Sequence, residues 1–159
     1  MLKITRFEID HVFEGLPPPL LEPPTDELET KAFDAIKNAG GFMWLVGSRS
    51  IRHAATPDSD YDFLVITRQR IPEVINGELG FELDSGGAHY DPSEGQFNSW
   101  RKDRVNLIAT DDQRFAKRFL AANEAAKRIG LLRREDRVTL FEAVLYGRLS
   151  ESKHQWEAD

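Results

Sequence analysis

The chain contains no cysteine in its 159 residues, so neither a disulfide nor a thiolate metal site is available to it, and nothing marks an oxidising compartment. It also lacks any apolar run near the roughly 20 residues that a membrane-spanning helix needs, and its first residues lack the apolar core of a signal peptide. No membrane association and a cytoplasmic location are the expectations. Positive charge is in short supply too: 21 Lys and Arg stand against 27 Asp and Glu, a formal net charge of −6. Broad electrostatic capture of nucleic acid needs basic surface that displaces counterions, so that mode is disfavoured. Local contacts are not excluded, because Arg49, Arg52, Arg101, Lys102 and Arg104 lie in or near the segments that carry the chemistry. They form either a small basic rim or solvated charges that balance nearby acids. What is present is ordinary for a soluble globular domain, 40% hydrophobic and 30% charged, in a length that suits one domain with a real core.

The informative stretch runs from Phe42 to Thr67, FMWLVGSRSIRHAATPDSDYDFLVIT. Phe42 to Val46 is a short apolar run bounded by glycines, which reads as a buried strand. It stops at Gly47-Ser48. A second strand is predicted from Tyr61 to Ile66, and since side chains alternate along a strand, Asp60 and Asp62 point to the same side. Two carboxylates facing one spot repel each other unless a cation sits between them. Magnesium or manganese suits that place, because such ions take carboxylate oxygens and leave positions for water or phosphate. Gly47 lets the backbone approach a phosphate closely and Ser48 adds a hydroxyl donor. A helix opened by Ser48 to His53 would add free N–H groups, and Arg49 would assist the phosphates. Taken singly, Gly-Ser after a strand is a turn and Asp-x-Asp at a strand edge is solvated surface. In this order, flanked by apolar strands, the pair reads as a site for a metal-bound triphosphate.

Gly47-Ser48, eleven intervening residues and then Asp60-Tyr61-Asp62, preceded by Ser59, resemble the motif of the nucleotidyltransferase superfamily of the DNA polymerase beta type, in its minimal, small-domain branch. The resemblance covers roughly residues 42 to 110. It implies an α/β fold, a small mixed sheet of four to five strands flanked by helices, with C-terminal helices. It also implies metal-dependent transfer of a nucleotide from a nucleoside triphosphate to a hydroxyl, with Gly47 and Ser48 holding the triphosphate and Asp60 and Asp62 the metal. The acceptor is open between a protein side chain, an RNA end and a small alcohol, and no pattern selects a base.

The family places a third Asp on a later strand, where it helps hold the metal and receives the proton of the attacking hydroxyl. A hairpin is predicted here, with arms Phe97 to Trp100 and Arg104 to Thr110 turned at Arg101-Lys102-Asp103. On its second arm Val105, Leu107 and Ala109 share one face and Asn106, Ile108 and Thr110 the other. Asn106 takes the place of the third Asp. Its amide carries no charge and is no base, so the general base is unassigned. Asp103, Glu82 and Asp84 are alternative acids. A second function follows from the same residue: a catalytically degenerate nucleotidyltransferase fold acting as a nucleotide-binding or protein-interaction module with a protein partner.

The remaining segments read as scaffold. Residues 1–24 form an N-terminal arm, an edge strand or extended segment to Gly15, then a proline-rich strap with Leu20 and Leu21 as anchors. The domain proper spans 25–150. Its first helix runs from Thr25 to Ala39, a short helix starts at Pro72, and Leu79 to Leu83 forms a further strand. A glycine-rich loop follows to about Gly95, in which His89, Tyr90 and Asp91 receive no role. A helix from Asp111-Asp112 to Ile129 carries Phe115, Phe119, Ala122, Ala126 and Ile129 on one face. Another, from about Glu135 to Leu149, buries Val138, Phe141, Val144 and Leu145. Residues 151–159 are a polar tail.

Overall fold

The computed structural model describes residues 6–67, 71–84 and 97–147. Its elements are α1 (Arg6–Val12), α2 (Glu27–Asn38), β1 (Phe42–Val46), a 3-10 turn (Ser48–Ser50), β2 (Tyr61–Ile66), α3 (Glu73–Asn76), β3 (Glu82–Leu83), β4 (Asn98–Lys102), β5 (Val105–Thr110), α4 (Gln113–Ile129) and α5 (Arg134–Tyr146). The strands form one mixed five-stranded sheet in the order β1-β2-β5-β4-β3. Only β2 and β5 run parallel. This is the α/β class expected, with helices on both faces and the two long C-terminal helices on one of them.

Alternation along the strands divides the interior into two cores. Trp44, Val46, Leu64, Ile66 and Ile108 face α4 and α5 and pack with Phe115, Phe119 and Phe141. Met43, Phe63, Val65, Leu107 and Ala109 face the other way, onto Phe33 and Ile36 of α2 and Ile75 of α3. The split of β5 into Val105, Leu107, Ala109 against Asn106, Ile108, Thr110 therefore holds. Stacked and tilted rings bind α4 to α5, with Phe119 and Phe141 centroids 4.7 Å apart, a geometry worth about 0.5–1.5 kcal/mol beyond area burial.

The helices start and stop where side chains satisfy their ends. Asp26 accepts from the Leu28 N–H at 3.0 Å and Asp112 from the Arg114 and Phe115 N–H groups at 2.9 and 3.1 Å, each carboxylate covering orphan donors of a first turn. Gly130 closes α4 in the left-handed conformation. Gly147 does the same for α5, so that helix ends at Tyr146 rather than near Leu149.

Several expectations are corrected. The segment read as an edge strand or extended arm contains helix α1, whose Ile9 and the following Phe13 are buried one helical turn apart in the core under α4 and α5. Of the two strap anchors, Leu20 bonds β1 through its N–H to the Met43 carbonyl at 2.8 Å, whereas Leu21 is 67% exposed. The Trp44 indole donates to the Pro17 carbonyl at 3.0 Å and fixes the strap a second time. Ile129 and Val144 are exposed, because their helix faces turn away from the sheet. The strand at Leu79 to Leu83 shrinks to Glu82–Leu83. The hairpin turn falls at Asp103-Arg104, with Asp103 at φ 51°, so Arg101 and Lys102 belong to β4. The glycine-rich loop from residue 85 and the tail lie outside the described residues.

The register sets up the site. Val46 pairs with Asp62, Asp62 with Asn106, Asn106 with Arg101 and Arg101 with Glu82. One row across all five strands thus carries Asp62, Asn106 and Arg101 side by side.

Candidate functional site

At the end of β1 the backbone turns through Gly47 at φ 71° and ψ −159°, a conformation open essentially to glycine alone. Space demands glycine as well: a Cβ here would lie 2.5 Å from Asp62 Oδ2. The backbone of the Gly-Ser turn therefore lies directly against the β2 carboxylate. The expected helix from Ser48 to His53 is reduced to the single turn Ser48–Ser50, because Ile51 returns to the extended region at φ −113° and ψ 123°. The turn is held from α4. Asn123, 3% exposed, accepts from the Gly47 N–H at 3.0 Å and donates to Ser50 Oγ at 3.1 Å, and Ser50 Oγ donates to the Gly47 carbonyl at 2.7 Å. With the Gly47 N–H engaged, Ser48 is the donor that this turn presents to the cleft.

Asp62 is half-buried on the central strand pair. Burial raises its pKa above the ordinary carboxylate value; the Asn106 hydrogen bond opposes this, Asp60 adds to it, and Arg101 and Arg134 lower it. Asn106 Nδ2 donates to Asp62 Oδ1 at 3.2 Å, while Asn106 Oδ1 accepts from Ser99 Oγ at 2.5 Å. The amide thus turns its nitrogen, a donor, toward Asp62. Arg101 Nη1 donates to Asp60 Oδ2 at 2.9 Å, and Arg101 Nε lies 2.8 Å from Asp84 Oδ2. Arg101 is thus a cation between the Asp60 and Asp84 carboxylates.

These groups line a cleft of about 310 Å³. One half is polar, with Gly47, Ser48, Asp60, Asp62, Asn106 and Arg101; the other is apolar, with Phe97, Ile108, Phe119, Val138 and Phe141. Arg134 and Arg137 of α5 stand at its edge. Arg137 Nη1 also donates to the Leu131 and Leu132 carbonyls at 3.0 and 2.6 Å, which anchors the start of α5.

No protein-family model, curated protein or solved structure matches the chain.

Of the residues read from the sequence, Gly47, Ser48, Asp60, Asp62 and Asn106 meet in one cleft, and Asn106 stands beside Asp62 as the register required. Arg49 does not join them. Its guanidinium lies over the Tyr61 ring, 4.3 Å from the centroid, and donates to the Ser59 carbonyl at 3.0 Å. Arg52 is exposed, and Lys102 and Arg104 line a separate groove with Glu29 and Asp103. Among the alternative acids, Asp103 faces that other groove and Glu82 is exposed on the outer strand, while Asp84 pairs with Arg101 of the site. Asp58 lies on the rim and pairs with Arg104 at 3.3 Å.

Three contributors escaped sequence reasoning. Asn123 follows Phe119 by four residues, a polar group on an otherwise apolar stripe, and that interruption was its signal. Arg134 and Arg137 precede Val138 and Phe141 by four residues each, so they share the sheet-facing side of α5. Among the described residues no three of His, Asp and Glu are grouped to hold a metal ion. The Asp60 and Asp62 carboxylates suit one hard divalent ion whose other ligands are water and phosphate oxygens, and the Asn106 amide nitrogen, a donor, adds no ligand.

Proposed function

We propose that the protein is a metal-dependent nucleotidyltransferase that takes a nucleoside triphosphate as its magnesium complex and moves the nucleotide to a hydroxyl acceptor, in the cytoplasm. The observation that carries this reading is convergence: the glycine-serine turn and both aspartates, twelve to fifteen positions apart in the chain, face one cleft, with Gly47 shaped to the Asp62 carboxylate. Asp60 and Asp62 would hold the ion, which supplies charge neutralisation at the transferring phosphate when bound. Ser48 would donate to phosphate oxygens. Arg134, exposed at the cleft edge, offers a positive charge to the same anion. The apolar half gives a ring or an acceptor's carbon skeleton a place out of water.

A second reading has its own support. Asn106 is no base and presents an amide N–H, so a nucleotide-binding module that does not transfer fits the same cleft. The two separate in an assay with triphosphate labelled at the α-phosphorus, offered with RNA, protein and small-alcohol fractions as acceptors. Transfer of label by the wild type and none by Asp62→Ala supports the enzyme. Triphosphate that binds but stays intact with every fraction supports the module and refutes the transferase.

A further inference from the structure

The row Asp62, Asn106, Arg101 across β2, β5 and β4 carries a charge pattern that the two-carboxylate reading leaves unused. A carboxylate beside a divalent ion sums to one net positive charge. A neutral amide beside a guanidinium starts from the same sum, of which the Asp84 carboxylate paired to Arg101 offsets a part. We propose that Arg101 is the second cation of the site: with Asn106 beside it, the protein itself supplies the charge that a second divalent ion would bring, and the cleft takes up one divalent ion per triphosphate. This rests on the nucleotidyltransferase reading and specifies its metal requirement.

The geometry supports a fixed cation rather than a surface arginine that pairs by chance. Arg101 is held from two sides, by Asp60 at 2.9 Å and Asp84 at 2.8 Å, and its side chain is 31% exposed. Asp84 is pinned in turn, its N–H donating to the Ser99 carbonyl at 2.7 Å. Ser99 has a further part. Its hydroxyl occupies Asn106 Oδ1 at 2.5 Å, which leaves Nδ2 toward Asp62 at 3.2 Å. The one amide oxygen able to ligate a second ion is therefore engaged, and the group facing the carboxylate is a donor that repels cations. Arginine suits the task, since it stays charged at any working pH and its fork offers several donors to carboxylate and phosphate oxygens together.

The test counts ions. The folded chain, in excess over a nucleoside triphosphate with a non-hydrolysable α,β bond, is titrated with Mn²⁺ and bound metal is read by electron paramagnetic resonance. The wild type should bind one Mn²⁺ per bound triphosphate, and Asn106→Asp alone should still bind one, because Arg101 remains. Arg101→Gln/Asn106→Asp, which removes the cation and restores a carboxylate, should bind two. Arg101→Gln alone should weaken triphosphate binding by about tenfold or more, the scale of a lost charge-assisted contact. Two ions in the wild type, or one in the double variant with wild-type circular dichroism, would overturn the inference. A wild type that forms no triphosphate complex would instead remove the nucleotidyltransferase reading beneath it.

Discussion

Gly47→Ala tests the closest contact in the site. The new Cβ would meet Asp62 Oδ2 at 2.5 Å, Cβ at 3.2 Å and Cγ at 3.3 Å, and alanine would be held at φ 71° and ψ −159°. Backbone strain of this kind costs about 1–3 kcal/mol. Overpacking adds about 1–3 kcal/mol, because Asp62 is tied to Asn106 on the neighbouring strand and has little room to retreat. A total near 4 kcal/mol, at about 2–4 °C per kcal/mol for a chain of this size, lowers Tm by about 8–16 °C. Urea and thermal unfolding followed by circular dichroism read the loss directly. The same change made in Asp62→Ala should cost the strain and the milder Cβ contact at 3.2 Å but not the carboxylate clash, so the two sites should couple by about 1–3 kcal/mol. A Gly47→Ala protein within about 0.5 kcal/mol of the wild type, or no coupling with Asp62, would refute the claim that this glycine is shaped to that carboxylate.

Asn123→Ala leaves the Gly47 N–H without its acceptor and should cost about 1–3 kcal/mol in urea unfolding; a neutral result would show that α4 does not hold the turn. Asp62 has a folded-state pKa raised by burial, so its penalty is absent below the ordinary carboxylate value of 3.8, appears as pH rises past it and is complete above the folded-state value. Asp62→Asn should therefore stabilise the fold at neutral pH, with the gain vanishing on acidification below that point. A gain that grows in acid would contradict the assignment. Trp44→Phe removes the indole bond to Pro17 and should cost about 1 kcal/mol while speeding protease cleavage in the proline-rich strap; unchanged cleavage would mean that the strap is held without it.

The strands were readable because their signals are local: Phe42 to Val46 and Tyr61 to Ile66 are apolar runs with clear ends, alternation grouped Asn106 with Ile108 and Thr110, and the family resemblance set Asn106 beside the aspartates. The first helix was hidden by length. Its seven residues bury Ile9, with Phe13 just past its end as the one partner a turn away, too few repeats for a period to emerge among the charges. Arg101 was open between a basic rim and a solvated charge, and a shift of the hairpin turn decides it: a left-handed Asp103 lets β4 run on to Lys102, which moves Arg101 from the turn into the row of the site. Helical spacing puts Asn123, Arg134 and Arg137 on the apolar faces of α4 and α5, but which cleft they line depends on how those helices settle across the sheet. Conversely, Arg49 looked like a phosphate ligand by adjacency to Ser48, yet the ring of Tyr61 captures it.

The central claim is that Asp60 and Asp62 join the Gly47-Ser48 turn in binding a metal-complexed triphosphate. Calorimetry of each of the four ribonucleoside triphosphates, with and without magnesium, on the wild type and on Asp60→Ala/Asp62→Ala tests it most directly. The account predicts magnesium-dependent binding by the wild type that is lost in the double variant. Absence of binding by a folded wild type, or equal binding by both proteins, would contradict it.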